Sequence, residues 1–592
     1  MEGTISILRN TFSGYKRQLI ILVFLGLASG LLEGVGIGAI VPLLSFLISG
    51  TEGDGNVITS SLEALFNFIG VPFKFSSVIV LIFILFLIRS VVLALSTYIR
   101  ASITASFMNK EMGELISSTM HAKWEYLLRQ KAGHVQTTMI RSVQKTMDLL
   151  GTLAQSIQSF TGLAMYIAVA MSISWKITSL TLLLGALVFF FSKPFVKRIR
   201  KIGNQTLRHE KSAANHILED LSGMKTIKAS GKMEFVIKKI RADVESLRGV
   251  IVKGAIVRSL GAFFVQPVGF LFVLLIFAST YKTGGFSLAI FAATVYLIQK
   301  IFIYIDSGQK SIYSINEFAP YAGNIIQYKK ESQKATEHFS EAIQPFVFKK
   351  AIRLKDVSLS YEGRGEALSK LNSTVQKGDM VGIVGPSGSG KTSLVDLLLR
   401  LFTPTEGAIY IDGQELKNIS LKEWRENIGY VSQDLFLLND TVENNIRFYD
   451  PTLSKEQIQS AAKQTHIHDV IEKLPEGYQT NTGDRGVMLS AGQRQRIVLA
   501  RILARKPEII ILDEATSALD TESEGFIKQA IKELRGETTI FIVAHRLTTV
   551  MDVDNLLVID GGKIIESGSP KKLLENKRSY FYRLVHLQGD TQ

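Results

Sequence analysis

Met380-Val381-Gly382-Ile383-Val384, followed by Gly385-Pro386-Ser387-Gly388-Ser389-Gly390-Lys391-Thr392-Ser393, is the stretch whose reading decides the fold. The five apolar residues read as a buried strand, Gly385 to Thr392 as a phosphate-binding loop, and the apolar run Leu394 to Leu401 as the helix that must follow it. Each residue type answers a physical demand. Glycines let backbone N–H groups turn inward around phosphates, and the helix N-terminus adds a favourable dipole. Lys391 brings a mobile positive charge to the β and γ phosphates, and the Thr392 hydroxyl can complete a Mg²⁺ shell.

The sequence from Ile352 onward alternates short β-like runs with helical ones, the pattern of an α/β nucleotide-binding domain. A second strand, Glu508 to Leu512, is almost purely apolar and ends in Asp513 and Glu514. A carboxylate at that exit can hold Mg²⁺, and its neighbour can orient or deprotonate the attacking water. Two acids after a strand say little alone; beside a phosphate loop they say much more.

Between these elements lies Leu489-Ser490-Ala491-Gly492-Gln493, ahead of a helix-competent run from Arg494 to Arg505. Here the chain resembles the ATP-binding cassette (ABC) family, whose signature is LSGGQ. The resemblance extends to Tyr361 as the adenine-stacking aromatic, Gln433 as the Q-loop glutamine, Ser517-Ala518-Leu519-Asp520 as the D-loop and His545 as the switch histidine. Taken singly, Tyr361 can also be read as a strand aromatic and His545 as a loop-end histidine; their order is what joins them. The resemblance implies ATP and Mg²⁺ as cofactors, with Thr392, Gln433 and Asp513 around the metal and Glu514, His545, Lys391 and Gln433 in catalysis. It further implies that Ser490 and Gly492 meet ATP held by the loop of a second chain, with Tyr361, Ala491, Gln493 and Asp520 also among the nucleotide-binding residues. Two departures stand out. Ala491 replaces a glycine, so its methyl is expected to narrow the backbone there, and Asp484 stands where the family has glutamate.

The N-terminal half belongs to another solvent. Apolar stretches long enough for a roughly 30 Å hydrocarbon core occur at Leu19 to Phe46, Ser76 to Tyr98, Leu149 to Ile173, Ile177 to Phe195, Leu260 to Tyr281 and Phe286 to Ile305. The first is too long for a secretory signal and is read as a retained span. Of the +14 formal charge, about +10 lies between Lys193 and Arg258, in a connection between spans. Membrane topology therefore explains the basicity, and no nucleic-acid partner is expected. The basic connections place both termini and the cassette in the cytoplasm. Both long connections keep a helical period, so they should continue the spans as rods, with short docking helices near Trp124 to Gln130 and Leu218 to Lys228. With no cysteine, disulfides and thiolate chemistry are excluded.

The expected architecture is multi-domain: an all-α six-helix transmembrane domain of the ABC exporter type at 1–325, a linker at 326–350, and an α/β P-loop nucleotide-binding domain at 351–592. Glycines between Gly26 and Gly38 are expected to serve close helix packing. Glu33, Arg89 and Lys300 are charges inside spans; they either pair with one another or line a cavity that attracts an anionic head group. The layout implies ATP-driven export, or inner-to-outer leaflet flipping, of an amphipathic substrate by alternating access. A lipid or lipid-linked saccharide is favoured, and a drug or peptide exporter is the alternative. One cassette per chain implies a second copy as partner, or a related chain in a heterodimer. The expected setting is a multi-pass protein among membrane lipids, in a bacterial inner membrane. A non-pumping channel or regulator is the rival from another class; intact Glu514 and His545 weigh against it.

Overall fold

The apolar runs of the N-terminal half form helices far longer than a bilayer requires. The computed structural model describes residues 4–40, 42–43, 46, 57–263, 265–280, 288–337, 344–363, 365–515, 521–544 and 546–589. The chain divides into two units, Met1–Thr336 and Glu337–Gln592. In the first, helices run over Lys16–Gly38, Phe75–Met120, Val143–Ile173, Trp175–Ser222, Met233–Ala262, Val265–Thr280 and Leu288–Lys334. Those of 46 to 48 residues reach about 70 Å, more than twice the hydrocarbon thickness. The rods anticipated from the helical period of the connections are therefore present.

Five helical segments among the described residues are long and apolar enough to cross a membrane. The sixth expected span, Phe286 to Ile305, begins outside the described residues and continues in the Leu288–Lys334 helix. That helix also enters the stretch read as linker at 326–350; Ala322, Ile325 and Tyr328 pack inside the unit and hold it helical. Short helices at Trp124–Leu128 and Met224–Ala229 fall where docking helices were expected, the second starting only after the long rod ends at Ser222.

Small residues set the helix spacing. A methyl added at Gly26 would lie 2.4 Å from Thr161, at Gly30 2.9 Å from Met165, and at Gly34 3.0 Å from Val169. The four-residue step on both helices makes this a single seam along one face of each. Lower along the rods, Gly203 lets the Trp175–Ser222 helix touch the backbone of Glu317. There the contacts turn polar: Glu210 accepts from Arg141 at 3.1 Å and from Tyr321 at 2.9 Å, and Asn324 donates to Thr138 and Ser142 in a π-helical turn.

The second unit carries two sheets. An antiparallel one is built from β1 (Ala351–Tyr361), β2 (Gly365–Gln376), β4 (Glu406–Ile411) and β5 (Gln414–Glu415), ordered β2-β1-β4-β5. The other is ordered β10-β9-β3-β8-β7-β6, from β3 (Met380–Val384), β6 (Ile428–Val431), β7 (Ile509–Asp513), β8 (Thr539–Val543), β9 (Asn555–Asp560) and β10 (Lys563–Gly568). Its β9-β3-β8-β7-β6 part is parallel, and every residue of β3, β7 and β8 is buried. That is why these strands read as unbroken apolar runs rather than alternating ones.

Gly203→Ala is expected to destabilise the membrane unit by about 1–3 kcal/mol, because a carbonyl oxygen cannot yield to the new methyl. Gly249→Ala, with open space at its Cβ, should be neutral or stabilising by up to about 1 kcal/mol. Thermal unfolding of the detergent-purified protein should give shifts of opposite sign.

Candidate functional site

The loop between β3 and the Lys391–Leu398 helix folds around its own lysine. Lys391 is buried at 6% exposure, and its ammonium donates to the carbonyls of Gly385 at 2.9 Å and Pro386 at 2.8 Å. Burial pushes its pKa down, while Glu514 and Asp513 pull it back up. Gly390 caps the helix at φ +108, and a Cβ there would stand 2.6 Å from Leu368 and 2.9 Å from the Ala367 carbonyl. No other residue fits. Pro386, Ser387, Gly388 and Thr392 are exposed along the loop, and Ser393 is buried beneath it. Ser389 Oγ is buried with no hydrogen-bond partner, an orphaned polar atom on the inner side of a phosphate-sized cradle.

The two carboxylates are divided by the end of β7. Asp513 is the strand's last residue, 5% exposed and hydrogen-bonded by Tyr430. Glu514 lies just beyond it at φ +54, its N–H on the carbonyl of Val543 and its carboxylate accepting from Gln433 Nε2 at 2.8 Å. Thus Lys391, Gln433, Asp513 and Glu514 converge. Hydroxyl, carboxylate and amide oxygens from Thr392, Asp513 and Gln433 are the hard donors that Mg²⁺ prefers, so these residues suit the ion. Tyr361 turns its hydroxyl to Ser393 at 3.0 Å and meets Phe402 edge-on, with ring centroids 5.0 Å apart. His545 and Asp520, with the rest of the D-loop, lie outside the described residues.

At the signature, Ser490 and Gln493 close a reciprocal capping box on the Ala491–Leu503 helix: Ser490 Oγ accepts from the Gln493 N–H at 3.2 Å, and Gln493 Oε1 accepts from the Ser490 N–H at 2.9 Å. Ala491 is the first residue of that helix, where a methyl fits without strain, so the expected narrowing of the backbone does not arise. Gly492 is buried in the first turn. Among the described residues, no hydrogen bond or ion pair joins this segment to the phosphate loop. Asp484 opens a tight turn flanked by Gly483 at φ +73 and Gly486 at φ +70.

Sequence reading missed a half-buried acid and a buried arginine. Asp396, one turn past Thr392, is pushed up to about 6 by burial and then by the charge of Asp513. Its helical spacing from the loop was the available signal. Arg501 donates to the carbonyls of Asn445 at 2.8 Å and Phe436 at 2.9 Å, tying the signature helix to the segment after Gln433.

In the membrane unit, the three intramembrane charges meet. Glu33, 3% exposed, accepts from Arg89 at 2.7 Å, Lys300 at 3.4 Å and Tyr304 at 3.3 Å. The pairing alternative is thus realised, with one carboxylate between two cations.

A family model described as ABC transporter matches residues 368–517, and one described as ABC transporter transmembrane region matches 19–303. The ATP-dependent lipid A-core flippase of Desulfotalea psychrophila is 32% identical over 504 residues, 83% of each chain. The chain is an ABC transporter. HepA, a heterocyst differentiation ATP-binding protein of a Nostoc species, is 28% identical over 524 residues, 85% of each chain. A solved bacterial Atm1-family ABC exporter with ATP bound shares the fold, with a TM-score of 0.80 at 23% identity over 98% of this chain and 99% of that one. The transporter is a multi-pass integral membrane protein that couples ATP hydrolysis to export or flipping.

Ser490→Ala should cost the cassette about 1 kcal/mol through the lost cap, whereas Ser490→Asp, which also caps, should leave unfolding unchanged. Denaturation of the purified protein distinguishes the two.

Proposed function

We propose that the transporter flips or exports an amphipathic substrate, a lipid or lipid-linked saccharide, as a homodimer in a bacterial inner membrane with the cassettes and both termini cytoplasmic. The observation that carries the substrate class is the cluster at Glu33. Two cations and one carboxylate leave a net positive charge inside the spans, and such a charge is retained where it meets cargo or partner. The naming of several relatives of about 30% identity as lipid A-core flippases supports the same reading. Lys300 lies within cation–π range of Tyr166 and Tyr296, which gives the site apolar walls around its charge.

In the cassette, Lys391 holds the β and γ phosphates once it leaves the carbonyls of Gly385 and Pro386. Bound Mg²⁺ would neutralise phosphate charge, with Thr392, Asp513 and Gln433 as its holders. Glu514 takes a proton from the attacking water, and Gln433 fixes its carboxylate in position. His545 serves as the switch histidine. Tyr361 reaches adenine by releasing Ser393, and the signature residues of one copy, Ser490 to Gln493 with Asp520, meet the γ-phosphate on the other. Closure of two cassettes then favours the outward-facing arrangement, transmitted through the Trp124–Leu128 and Met224–Ala229 helices.

Glu514→Gln should lower hydrolysis by at least about 100-fold while ATP still binds. Lys391→Ala should weaken ATP binding itself by about 1.5–3 kcal/mol. In sealed vesicles, movement of a labelled lipid should require hydrolysable ATP; movement without it would favour a channel or regulator instead.

Arg89→Gln combined with Lys300→Gln should remove the stimulation of hydrolysis by anionic lipid. Unchanged stimulation would exclude these cations from cargo binding.

A further inference from the structure

Burial leaves the Asp513 side chain with a problem of aim. It is 5% exposed, so water cannot serve both of its oxygens, and the terminal torsion of an aspartate has no sharp minimum. Left to itself, the carboxylate could turn either edge toward a metal. In the parallel pairing, Tyr430 of β6 lies opposite Ile511 of β7, two residues or about 6.6 Å before Asp513. Alternation therefore puts Tyr430, Ile511 and Asp513 on one face of the sheet, where Ile511 shares a core with Leu394 and Leu398 of the Lys391–Leu398 helix. Val431 and Leu512 belong to the core on the opposite face.

From that face the Tyr430 hydroxyl donates to Asp513. Burial, then the charges of Asp513 and Asp396, raises the Tyr430 pKa to about 12, so the hydroxyl keeps the proton it donates. Asp396 enters from the helix. It follows Thr392 by four residues, which starts the two side chains about 5–6 Å apart on one helical face. The Tyr361 hydroxyl, bonded to Ser393 at 3.0 Å, stands 3.5 Å from Asp396 Oδ2. Charge here is coupled in a chain: Lys391 with Glu514 and Asp513, and Asp513 with Asp396. A carboxylate that no phosphate can use thus lies one turn behind the hydroxyl suited to the metal.

We propose that Tyr430 is a positioning residue for the metal, its hydroxyl holding one edge of the Asp513 carboxylate so that the other faces the ion, and that Asp396 raises the ion's affinity through its charge without binding it. This rests on the reading of Thr392, Asp513 and Gln433 as the holders of Mg²⁺. Phenylalanine at 430 keeps the ring and its packing but releases the carboxylate. Asparagine at 396 keeps the shape and removes the charge. Partners of metal-holding side chains are typically worth about 10- to 100-fold in metal affinity.

The test measures equilibrium binding of ATP to the full-length protein in detergent, with Glu514→Gln present throughout to prevent turnover, once in excess Mg²⁺ and once in EDTA. The ratio of the two affinities is the metal's contribution, free of hydrolysis. Adding Tyr430→Phe should lower that ratio by up to about tenfold and leave binding in EDTA unchanged. Asp396→Asn should lower it as well, and Asp396→Glu, which keeps the charge, should retain most of it. A residue needed only for folding would weaken binding equally in both solutions. That result, or an unchanged ratio with Tyr430→Phe, overturns the positioning role; an unchanged ratio with Asp396→Asn overturns the charge effect. If Mg²⁺ adds nothing to affinity while Tyr430 and Asp396 are both in place, the reading of the metal's holders falls too.

Discussion

A buried ammonium with neutral acceptors is the constraint on which the cassette is built. Lys391 is removed from water, and its hydrogen bonds go to two carbonyls of its own loop. Removing a cation from water costs several kcal/mol, and peptide dipoles offset only part of that. The carboxylates Asp513 and Glu514 nearby supply opposing charge that offsets part of the downward push of burial on its pKa. A polyphosphate offers a far stronger partner, so the loop is held in a form that nucleotide can improve upon. The parallel strands β3, β7 and β8, buried along their whole length, fix the loop and the two carboxylates on neighbouring strand ends.

The membrane unit solves the same electrostatic problem with an internal partner. A carboxylate buried among apolar helices is costly without partners, and Arg89 and Lys300 each approach one oxygen of Glu33. The glycine seam of the Lys16–Gly38 helix brings that helix close enough to its neighbour to bury the carboxylate. Farther along the rods the contacts change from apolar packing to hydroxyls and ion pairs, the transition expected where helices leave hydrocarbon for water.

The phosphate loop was legible because few residue types can perform its task, and the core strands because double-sided burial writes itself as an apolar run. Close packing was legible from the glycines between Gly26 and Gly38, though the single seam through Gly26, Gly30 and Gly34 emerges only from their contacts. Other features were not, since they depend on which partner a side chain selects. Ser490 and Gln493 were read as nucleotide contacts, and in this chain they also bond each other as a helix cap, a local role that a motif does not reveal. Ala491 was read against a glycine without knowing that its position starts a helix. Tyr361 was assigned to adenine through its ring, and the partner of its hydroxyl, Ser393 across 32 residues, was not foreseen. Asp396 went unnoticed because burial, which shifts its titration, comes from strands distant in sequence.

In the proposed dimer each chain holds half of each catalytic site: Lys391 of one copy works with Ser490 of the other. Chains carrying Lys391→Ala can be mixed with chains carrying Ser490→Asp, and mixed dimers isolated through two different tags. One site of such a dimer would then contain both defects and the other neither. The account predicts hydrolysis in the mixed dimers that neither variant shows alone. Mixed dimers as inactive as their parents would contradict it.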